Sequence, residues 1–514
     1  MNDNASGNKR IARNSLFLSI RMVFVLCINL YTTRAVLNAL GVEDYGVYNV
    51  VCGCVSMFSF LSTAISNGIQ RFFNFELAKN GIEGGKKVYN TALLIQFILA
   101  ILFFAILETV GLWYLNNHVV VPMGRENAAF WIFQFAVISF ILIVIQSPFS
   151  AAIMAHEKMD YYAIVSVSNA VLNLFVVLIL DLFSFDKLVF YGSLILLVNI
   201  TTFLMNVIYA RLSFVEIRIE RLFDRKLLRE MIGFSGWNLF GSFSGIMMDQ
   251  GMNLLLNSFF GPVVNAARGV TMQIRGGLQS FVQNITIPIR PQVIQSYAKG
   301  DINRTINLTF SISKLSCLLL FALSLPILVE INYVLDTWLK GNVPEHTSTF
   351  AFIVIAITFI NNLNSAVSGV VHASGKMRNY QVSTSLVALL SLPVCYLALK
   401  YEASPELAMC ISFLFIALSQ FVALLVLRTI VSFKLKHYFE QVLLPVIKVA
   451  IVCLWMPVIL HIYISEGFLR FAVIIFASEL CVIPAAYFLA LNHTEKTLIK
   501  DLLYKLKKKK TKDE

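Results

Sequence analysis

The chain has 514 residues, of which 58% are hydrophobic and only 14% are charged, and its mean hydropathy is +0.75. Soluble domains carry about 25% charged residues, so this composition excludes a soluble protein and predicts one that crosses a membrane many times. The formal net charge of +12 would suit a nucleic-acid-binding protein, but the placement of the basic residues argues against that class.

Fourteen largely apolar stretches are each long enough to cross a bilayer, which takes about 20 residues per helix. In chain order they are 15–39, 47–70, 88–115, 128–152, 162–183, 187–211, 232–257, 264–288, 306–335, 349–372, 380–400, 405–428, 440–463 and 468–491. We therefore predict an all-α polytopic membrane protein of about 14 transmembrane helices. The eighth stretch is unusually polar for a span.

The second half of the chain repeats the first at a nearly constant separation. Gly41 falls on Gly261 at a separation of 220 residues, and residues 156–162 match 374–380 at a separation of 218. The repeat predicts two pseudo-symmetric six-helix lobes. Two related lobes in one membrane chain are typical of secondary transporters, which hold the substrate between them.

The repeat and the connecting segments predict four parts of the chain. They are an N-terminal lobe at 1–215, a cytoplasmic linker at 216–230, a C-terminal lobe at 231–430, and two additional helices with a basic tail at 431–514. The last two spans have no counterpart in the first lobe, so they are an added pair.

Basic residues gather in alternate loops. One set of loops holds most of them: Lys9, Arg10, Arg13, Lys79, Lys86, Lys87, Lys158, the arginines and lysine of 211–229, Lys299, Arg304, Lys376, Arg378, Lys434, Lys436 and the tail at 505–512. By the positive-inside rule these loops face the cytoplasm, which places both termini there. The basic tail then serves topology and lipid contact rather than nucleic-acid binding.

Three arginines fall inside predicted spans. Arg21 lies in the first span, and Arg268 and Arg275 lie in the eighth. An arginine at mid-membrane costs about 2.5–3.5 kcal/mol on insertion scales, so these side chains should face protein or water. Arg268 and Arg275 are two helical turns apart, and Gln279 continues their face.

The seventh span has polar residues at spacings of three and four, which places them on one helical face. They are Ser235, Asn238, Ser242, Gly245, Asp249, Asn253 and Asn257. By the repeat, Asp249 corresponds to Asn29 of the first span. The first and seventh helices are therefore equivalent, and both present polar faces.

Two interpretations of these groups stay open. Asp249 forms a buried ion pair with Arg21 or Arg275 that joins the lobes, or the arginines line a wet, positively charged cavity and bind an anion. The second interpretation has a chemical basis, since a planar guanidinium group donates two hydrogen bonds to one phosphate. The candidate substrate-binding residues are Arg21, Arg268, Arg275, Asn29, Asn253 and Gln279, with Asp249 as the candidate for ion coupling or charge pairing.

The cysteines and histidines form neither a metal-binding nor a catalytic pattern. All eight cysteines fall within spans, and Cys52 and Cys54 lie two apart on a helix and so face different ways. His118, His346 and His461 are scattered over short outer loops. Nothing resembles a nucleophile elbow or a phosphate-binding glycine loop. We expect no metal, no cofactor and no enzymatic activity.

Three runs of the sequence, at 13–18, 39–49 and 66–73, resemble the Wzx-type oligosaccharide flippases. Those proteins belong to the multidrug, oligosaccharidyl-lipid and polysaccharide exporter (MOP) superfamily. The most specific element is the turn Leu-Gly-x-x-x-[Tyr/Phe]-Gly, in which Gly41 and Gly46 punctuate a tight outer connection.

The resemblance implies two six-helix lobes in a V-shaped arrangement, with two extra helices in fourteen-span members. It also implies a cationic cavity that takes the diphosphate-sugar head of a polyprenyl-linked carrier, with Arg21, Arg268 and Arg275 as its natural contacts. The implied activity is that of a flippase of the inner membrane, which moves a lipid-linked oligosaccharide from cytoplasm to periplasm for surface polysaccharide or O-antigen biosynthesis. Alternating access would occur around the cavity.

The implied partners are this lipid-linked substrate, membrane lipids, and a polysaccharide polymerase or the chain-length machinery, with no nucleic acid. A drug or cation antiporter of the same superfamily is the alternative, although three arginines in the cleft disfavour a cationic substrate. A membrane polysaccharide polymerase is a weaker alternative, because such an enzyme needs a sizeable outer loop and no loop here exceeds about 20 residues.

Overall fold

A computed structural model describes residues 2–156, 158–180, 182, 186–220, 225–298, 300–364, 367–374, 377–492 and 495–496. Within these ranges some helical side chains also lie outside the described part, among them those of Arg21, Ser235 and Asn238. Within the described ranges the chain is almost entirely helical.

The first half of the described chain contains six long helices and one short one. They are α1 (Asn2–Ser56), α2 (Ser59–Ile106), which continues through a π-helical segment (Leu107–Gly111) into α3 (Leu112–His118), then α4 (Glu126–Ala155), α5 (Met159–Leu180), α6 (Lys187–Ser213) and α7 (Arg225–Phe260).

The second half contains helices that are more often interrupted. They are α8 (Pro262–Ala298), α9 (Ile302–Val329), α10 (Ile331–Leu339), α11 (Thr347–Leu363), α12 (Val367–Ser374), α13 (Met377–Leu389), α14 (Ser391–Lys400), α15 (Pro405–Ile430), α16 (Leu435–Tyr438), a π-helical segment (Phe439–Leu443), α17 (Leu444–Tyr463), α18 (Phe468–Ala485) and a π-helical segment (Ala486–Ala490).

The predicted spans fall on these helices. Apart from breaks of one or two residues, the described part of each of the fourteen predicted stretches is helical. Ten helices within the described residues are long and apolar enough to cross a bilayer. The polar helices α7 and α8 are not among the ten, although they have 36 and 37 residues. The prediction of an all-α, multi-pass membrane protein is confirmed.

The chain forms two compact units. Unit 1 comprises Met1–Ile274, Asp336–Ile353 and Met377–Ser419, and unit 2 comprises Arg275–Leu335, Val354–Lys376 and Gln420–Glu514. Helices α8 and α15 each contribute residues to both units. The lobe boundaries inferred from the sequence stay a prediction.

Glycines with left-handed backbone angles recur at the spacing of the sequence repeat. Gly41, with φ 81°, interrupts α1, and Gly261, 220 residues later and with φ 75°, separates α7 from α8. A residue with a Cβ rarely adopts this conformation. Two more such pairs, 219 and 217 residues apart, are Gly81 with Gly300 and Gly124 with Gly341. The second half therefore bends where the first half bends.

The glycine turn of the family resemblance also fixes a contact between helices. Gly46 lies so close to the start of α8 that a Cβ there would overlap the carbonyl group of Pro262. Tyr45, one residue earlier, is buried. The turn thus brings the last part of α1 against α8, within unit 1.

Helix α4 runs through the core of unit 1. Towards its beginning, Phe133 packs in one cluster with Val47 of α1, and towards its end, Phe149 packs in another with Tyr89 of α2. Lipid tails are as apolar as these side chains, so close packing and polar contacts, rather than exclusion from water, hold such helices together.

Helix α9 has the same role in unit 2, where α17 and α18, the added pair of the sequence analysis, pack against it. Leu318 and Leu325 of α9 contact Val449 and Cys453 of α17 and Val482 of α18. The pair is therefore bound to the second half of the chain over much of the length of α9.

Two buried ion pairs fix the ends of this pair of helices to α9. At one end, Glu330 accepts hydrogen bonds from Nη2 of Arg470 and Nδ1 of His461, each at 2.7 Å. At the other end, Nζ of Lys314 donates to the Glu495 carboxylate at 2.7 Å. Lys314 and Glu330 are each 1% exposed, so both pairs are shielded from solvent.

Candidate functional site

A polar cavity of about 360 Å³ lies in unit 1, where α1, α7 and α8 meet. It is lined by Asn49, Cys52, Gly53 and Ser56 of α1, by Asp249, Gln250 and Asn253 of α7, and by Arg268, Gly269, Met272 and Gln273 of α8. Seven of these eleven side chains are polar or charged, which suits a ligand with a polar group.

Two glycines allow the three helices to approach one another closely around this cavity. A Cβ at Gly53 would lie 2.8 Å from the side chain of Gln250, and a Cβ at Gly269 would lie 2.8 Å from that of Asn49. Real Cβ atoms do not approach other heavy atoms so closely, so the absence of a side chain is what lets these amides reach the cavity wall.

Among the described residues that line the cavity, Arg268 is the one cation, and it is 5% exposed. Its Nη2 donates a hydrogen bond to the backbone carbonyl of Asp249 at 2.8 Å, and its Nη1 lies 3.3 Å from the sulfur of Met409. The Asp249 carboxylate is 3.8 Å from Nη2, and its side chain is 48% exposed. A half-exposed carboxylate at this distance neutralises a guanidinium group only weakly.

Hydrogen bonds between amides hold α1, α7 and α8 together beside the cavity. Nδ2 of Asn265 donates to the backbone carbonyl of Asn253 at 2.8 Å and to its side-chain oxygen at 2.6 Å. Nδ2 of Asn253 donates in turn to the carbonyl of Asn49 at 3.3 Å. Asn253 and Asn265 are both buried, so their side chains are fixed before any ligand arrives.

The cavity brings together three of the seven residues singled out from the sequence: Arg268, Asp249 and Asn253. The polar stripe of α7 and the arginine of α8 thus lie side by side in unit 1. The role of each in binding stays a prediction.

The other four predicted residues lie elsewhere in the chain. Arg275 is half-buried two turns further along α8, and Gln279 accepts a hydrogen bond from Nδ2 of Asn362 at 3.1 Å, within unit 2. Asn29 has an exposed side chain on α1. Arg21 also belongs to α1, but its side chain lies outside the described residues.

Sequence reasoning missed Asn49, Gln250, Asn265 and Gln273. The signal for the first was present, because Asn49, Gly53 and Ser56 follow the same spacing of four and three that identified the stripe of α7. Asn265 carries no such signal, since its importance comes from its bonds to Asn253.

In the part of the chain that the structure describes, no three His, Cys, Asp or Glu side chains are grouped so as to hold a metal ion. The cavity offers amides, one guanidinium group and one carboxylate. These groups can bind and orient a polar ligand.

No protein-family model matches the sequence, and no curated protein sequence matches it significantly. Solved structures match its fold. An inward-facing multidrug resistance transporter of the MATE family, in the MOP superfamily, gives a TM-score of 0.65 at 14% identity over 80% of this chain and 98% of that one. The lipid II flippase MurJ, in an inward closed conformation, gives 0.63 at 13% identity over 95% of this chain and 99% of that one.

A third match is a MOP superfamily transporter from Pyrococcus furiosus, described as having a binding pocket of reverse polarity that suggests a different function. Its TM-score is 0.58 at 13% identity, over 82% of this chain and 95% of that one. These identities establish a shared fold, so the chain has the fold of MOP superfamily transporters. Its structural neighbours are transporters and flippases rather than enzymes.

Proposed function

We propose that this protein is a flippase that moves a polyprenyl-diphosphate-linked oligosaccharide from the cytoplasmic to the periplasmic side of the inner membrane. The product would supply surface polysaccharide or O-antigen synthesis, through a polysaccharide polymerase or the chain-length machinery. The observation that carries the proposal is Arg268, a buried arginine on the wall of a polar cavity, held by a backbone carbonyl and facing a half-exposed carboxylate.

The chemistry of a diphosphate matches this arrangement. A guanidinium group makes paired hydrogen bonds to phosphate oxygens, and charge-assisted bonds of this kind are about twice as strong as neutral ones. The amides of Gln250, Asn253 and Gln273 supply donors and acceptors for sugar hydroxyl groups. The proposal keeps Arg21, Arg275, Asn29 and Gln279, which were predicted from the sequence, as further substrate-binding residues.

The share of the chain that matches each solved structure supports a lipid-linked substrate. The lipid II flippase matches 95% of this chain, whereas the MATE transporters match 80 to 83%. The segment at 431–514, with the added helices, makes up about a sixth of the chain. An added helix pair provides surface along which a polyprenyl tail can stay in the bilayer while its head group crosses.

Alternating access requires that the substrate binds differently to two conformations. In the proposed cycle, the diphosphate takes the place of the Asp249 carboxylate beside Arg268. Release on the opposite side lets the carboxylate return. The proposal keeps both termini and the linker at 216–230 in the cytoplasm.

One observation favours a second candidate, a drug or cation antiporter. The Asp249 side chain is half-exposed in the cavity, and a carboxylate is the group to which a cationic substrate would bind. The variant Asp249→Asn separates the two functions. It should abolish export of a cationic dye if the protein is an antiporter. If Arg268 is the contact of a diphosphate, the variant should lower surface polysaccharide only in part, because the substrate contact is kept and only the returning carboxylate is lost.

The direct test replaces Arg268 in a strain that lacks the chromosomal gene. We expect Arg268→Ala to reduce surface polysaccharide about 10- to 100-fold, because a hydrogen bond to a charged group contributes about 1.5–3 kcal/mol. Arg268→Lys should restore part of it, since a lysine keeps the charge without the paired geometry.

Arg229→Ala is the matched control, because Arg229 is exposed on α7 and does not line the cavity. Immunoblots of membranes must show equal amounts of each variant. Wild-type polysaccharide in cells with Arg268→Ala would refute the proposed site.

A further inference from the structure

A second polar cavity, of about 600 Å³, lies within unit 2. It is lined by Asn303, Ile306 and Asn307 from the first turns of α9, by Arg428 from the last turn of α15, by Ser432, Phe433 and Lys434 of the following connection, and by His437 of α16. None of these residues lines the cavity around Arg268.

The connection between α15 and α17 forms a fixed wall of this cavity. Phe310 of α9 is buried, and its ring contacts those of Phe433, His437 and Tyr438, with centroids 5.5, 5.8 and 5.3 Å away. The Tyr438 hydroxyl donates a hydrogen bond to the carbonyl of Leu363 at 2.9 Å. The packing of these aromatic rings therefore fixes the backbone that carries the basic residues of the connection.

The charge of the cavity is positive. Arg428 and Lys434 are exposed, and no carboxylate lies among the lining residues. Within the described part of the chain, no carboxylate is within 4.0 Å of either cation. Lys436, by contrast, is not among the lining residues, is 83% exposed and lies 3.8 Å from Glu440. Two cations beside amide and hydroxyl groups form a site for a phosphate.

The position of the cavity along the chain indicates that the phosphate belongs to a membrane lipid. It lies where one membrane-crossing segment ends, at Ile430, and the next begins, at Leu435. The basic connection belongs to the loops predicted to be cytoplasmic, at the level where anionic lipid head groups attract lysine and arginine. Ile306 and Phe433 give the cavity an apolar side, which suits the glycerol and upper acyl carbons of a phospholipid.

We propose that this cavity binds the phosphate head group of an anionic phospholipid of the cytoplasmic leaflet, such as phosphatidylglycerol. Arg428 and Lys434 contact the phosphate, and Asn303, Asn307 and Ser432 contact the polar head beyond it. The site holds a resident membrane lipid and does not depend on which substrate the protein transports.

Native mass spectrometry of the purified full chain in detergent measures this binding directly. We expect phosphatidylglycerol to bind more tightly than phosphatidylcholine, and inorganic phosphate not to displace it. The double variant Arg428→Gln/Lys434→Gln should weaken phosphatidylglycerol binding about 30-fold, because each basic residue near the surface contributes about 1 kcal/mol. Lys436→Gln, one neighbouring charge outside the cavity, should leave the affinity unchanged.

The swapped variant Arg428→Lys/Lys434→Arg keeps both charges and should keep phosphatidylglycerol binding, which separates loss of the site from loss of folding. Equal binding of the two lipids would overturn the proposal, as would an unchanged affinity in the Gln double variant. If Lys436→Gln weakened phosphatidylglycerol binding as much as the Gln double variant does, binding would reflect diffuse surface charge rather than a specific site. Displacement by millimolar inorganic phosphate would mean a site for soluble anions instead of lipid.

Discussion

Two buried arginines of this protein differ in what neutralises them. Arg470 is 8% exposed and binds Glu330, itself 1% exposed, at 2.7 Å. Arg268 is buried to a similar degree, but its Nη2 donates to the backbone carbonyl of Asp249 at 2.8 Å, and the Asp249 carboxylate, whose side chain is half-exposed, lies 3.8 Å away. Two arginines of similar burial therefore differ in whether their carboxylate partner is enclosed or half-exposed.

The difference separates a structural charge from a candidate binding charge. A carboxylate enclosed with Arg470 completes the pair, so this arginine needs no ligand as a counter-charge. At Arg268 the cavity of about 360 Å³ gives a ligand access to the same guanidinium group. Burial of a charge in a membrane helix by itself does not distinguish these cases, whereas the exposure of its partner does.

The largest effect on stability should come from breaking the enclosed pair. Glu330→Gln leaves Arg470 buried without a counter-charge and should reduce the free energy of unfolding by about 3–5 kcal/mol. Thermal unfolding in detergent, followed by tryptophan fluorescence, measures this. Glu466→Gln is the control, because Glu466 is exposed just before α18. A change no larger than that of the control would contradict the structural role of Arg470.

A slightly smaller loss is expected at the other end of the same helix pair. Glu495→Gln removes the partner of Lys314, which is 1% exposed, but Nζ of Lys314 keeps its bond to the Ala490 carbonyl at 2.9 Å. We expect a loss of about 3 kcal/mol in the same unfolding experiment. The half-exposed Glu440 provides the control substitution Glu440→Gln. If Glu495→Gln has no effect, the two ends of α18 are not fixed in the same way.

A more moderate effect should follow when the cavity around Arg268 is filled. A Cβ at Gly269 would lie 2.8 Å from the Asn49 side chain, so Gly269→Ala should destabilise the protein by about 1–2 kcal/mol and reduce transport. Gly276→Ala, on the same helix but with no atom within 4 Å of its Cβ, should be neutral or stabilising. Equal effects of the two alanines would mean that the helices around the cavity can move apart freely.

The smallest effect on stability should be seen at Arg268 itself. The interactions that Arg268→Met removes include the hydrogen bond to the Asp249 carbonyl, the contact with the Met409 sulfur and the ion pair at 3.8 Å. None is an enclosed ion pair, so the free energy of unfolding should change by about 1 kcal/mol. Surface polysaccharide should nevertheless be lost. A loss of stability as large as that of Glu330→Gln would make Arg268 a second structural charge and would remove the contrast between the two arginines.

The sequence predicted the parts of the structure that depend on local pattern. The length and hydropathy of each span are properties of about 20 neighbouring residues, and the left-handed bend at Gly41 follows from a single residue type. The stripe from Asp249 to Asn253 could be identified because an isolated helix fixes which residues share a face.

Contacts between distant segments could not be predicted in this way. Nothing in the sequence around Arg470 indicates its partner, and only its packing against Glu330, 140 residues earlier, shows that the two form a buried pair. The bond between Lys314 and Glu495 spans 181 residues, and the close approach at Gly269 depends on which helix lies beside α8. The pattern of polar and apolar residues in one helix does not specify which other helix packs against it.

The recurring left-handed glycines bear on how this protein evolved. The backbone bends at Gly41 and again at Gly261, as expected if the two halves arose by duplication of one ancestral segment that already contained the bend. Positions where the copies now differ, such as Asn29 in one and Asp249 in the other, record the later divergence. A variant with the same residue at positions 29 and 249 would show whether the difference in charge between the two halves determines which substrate is transported.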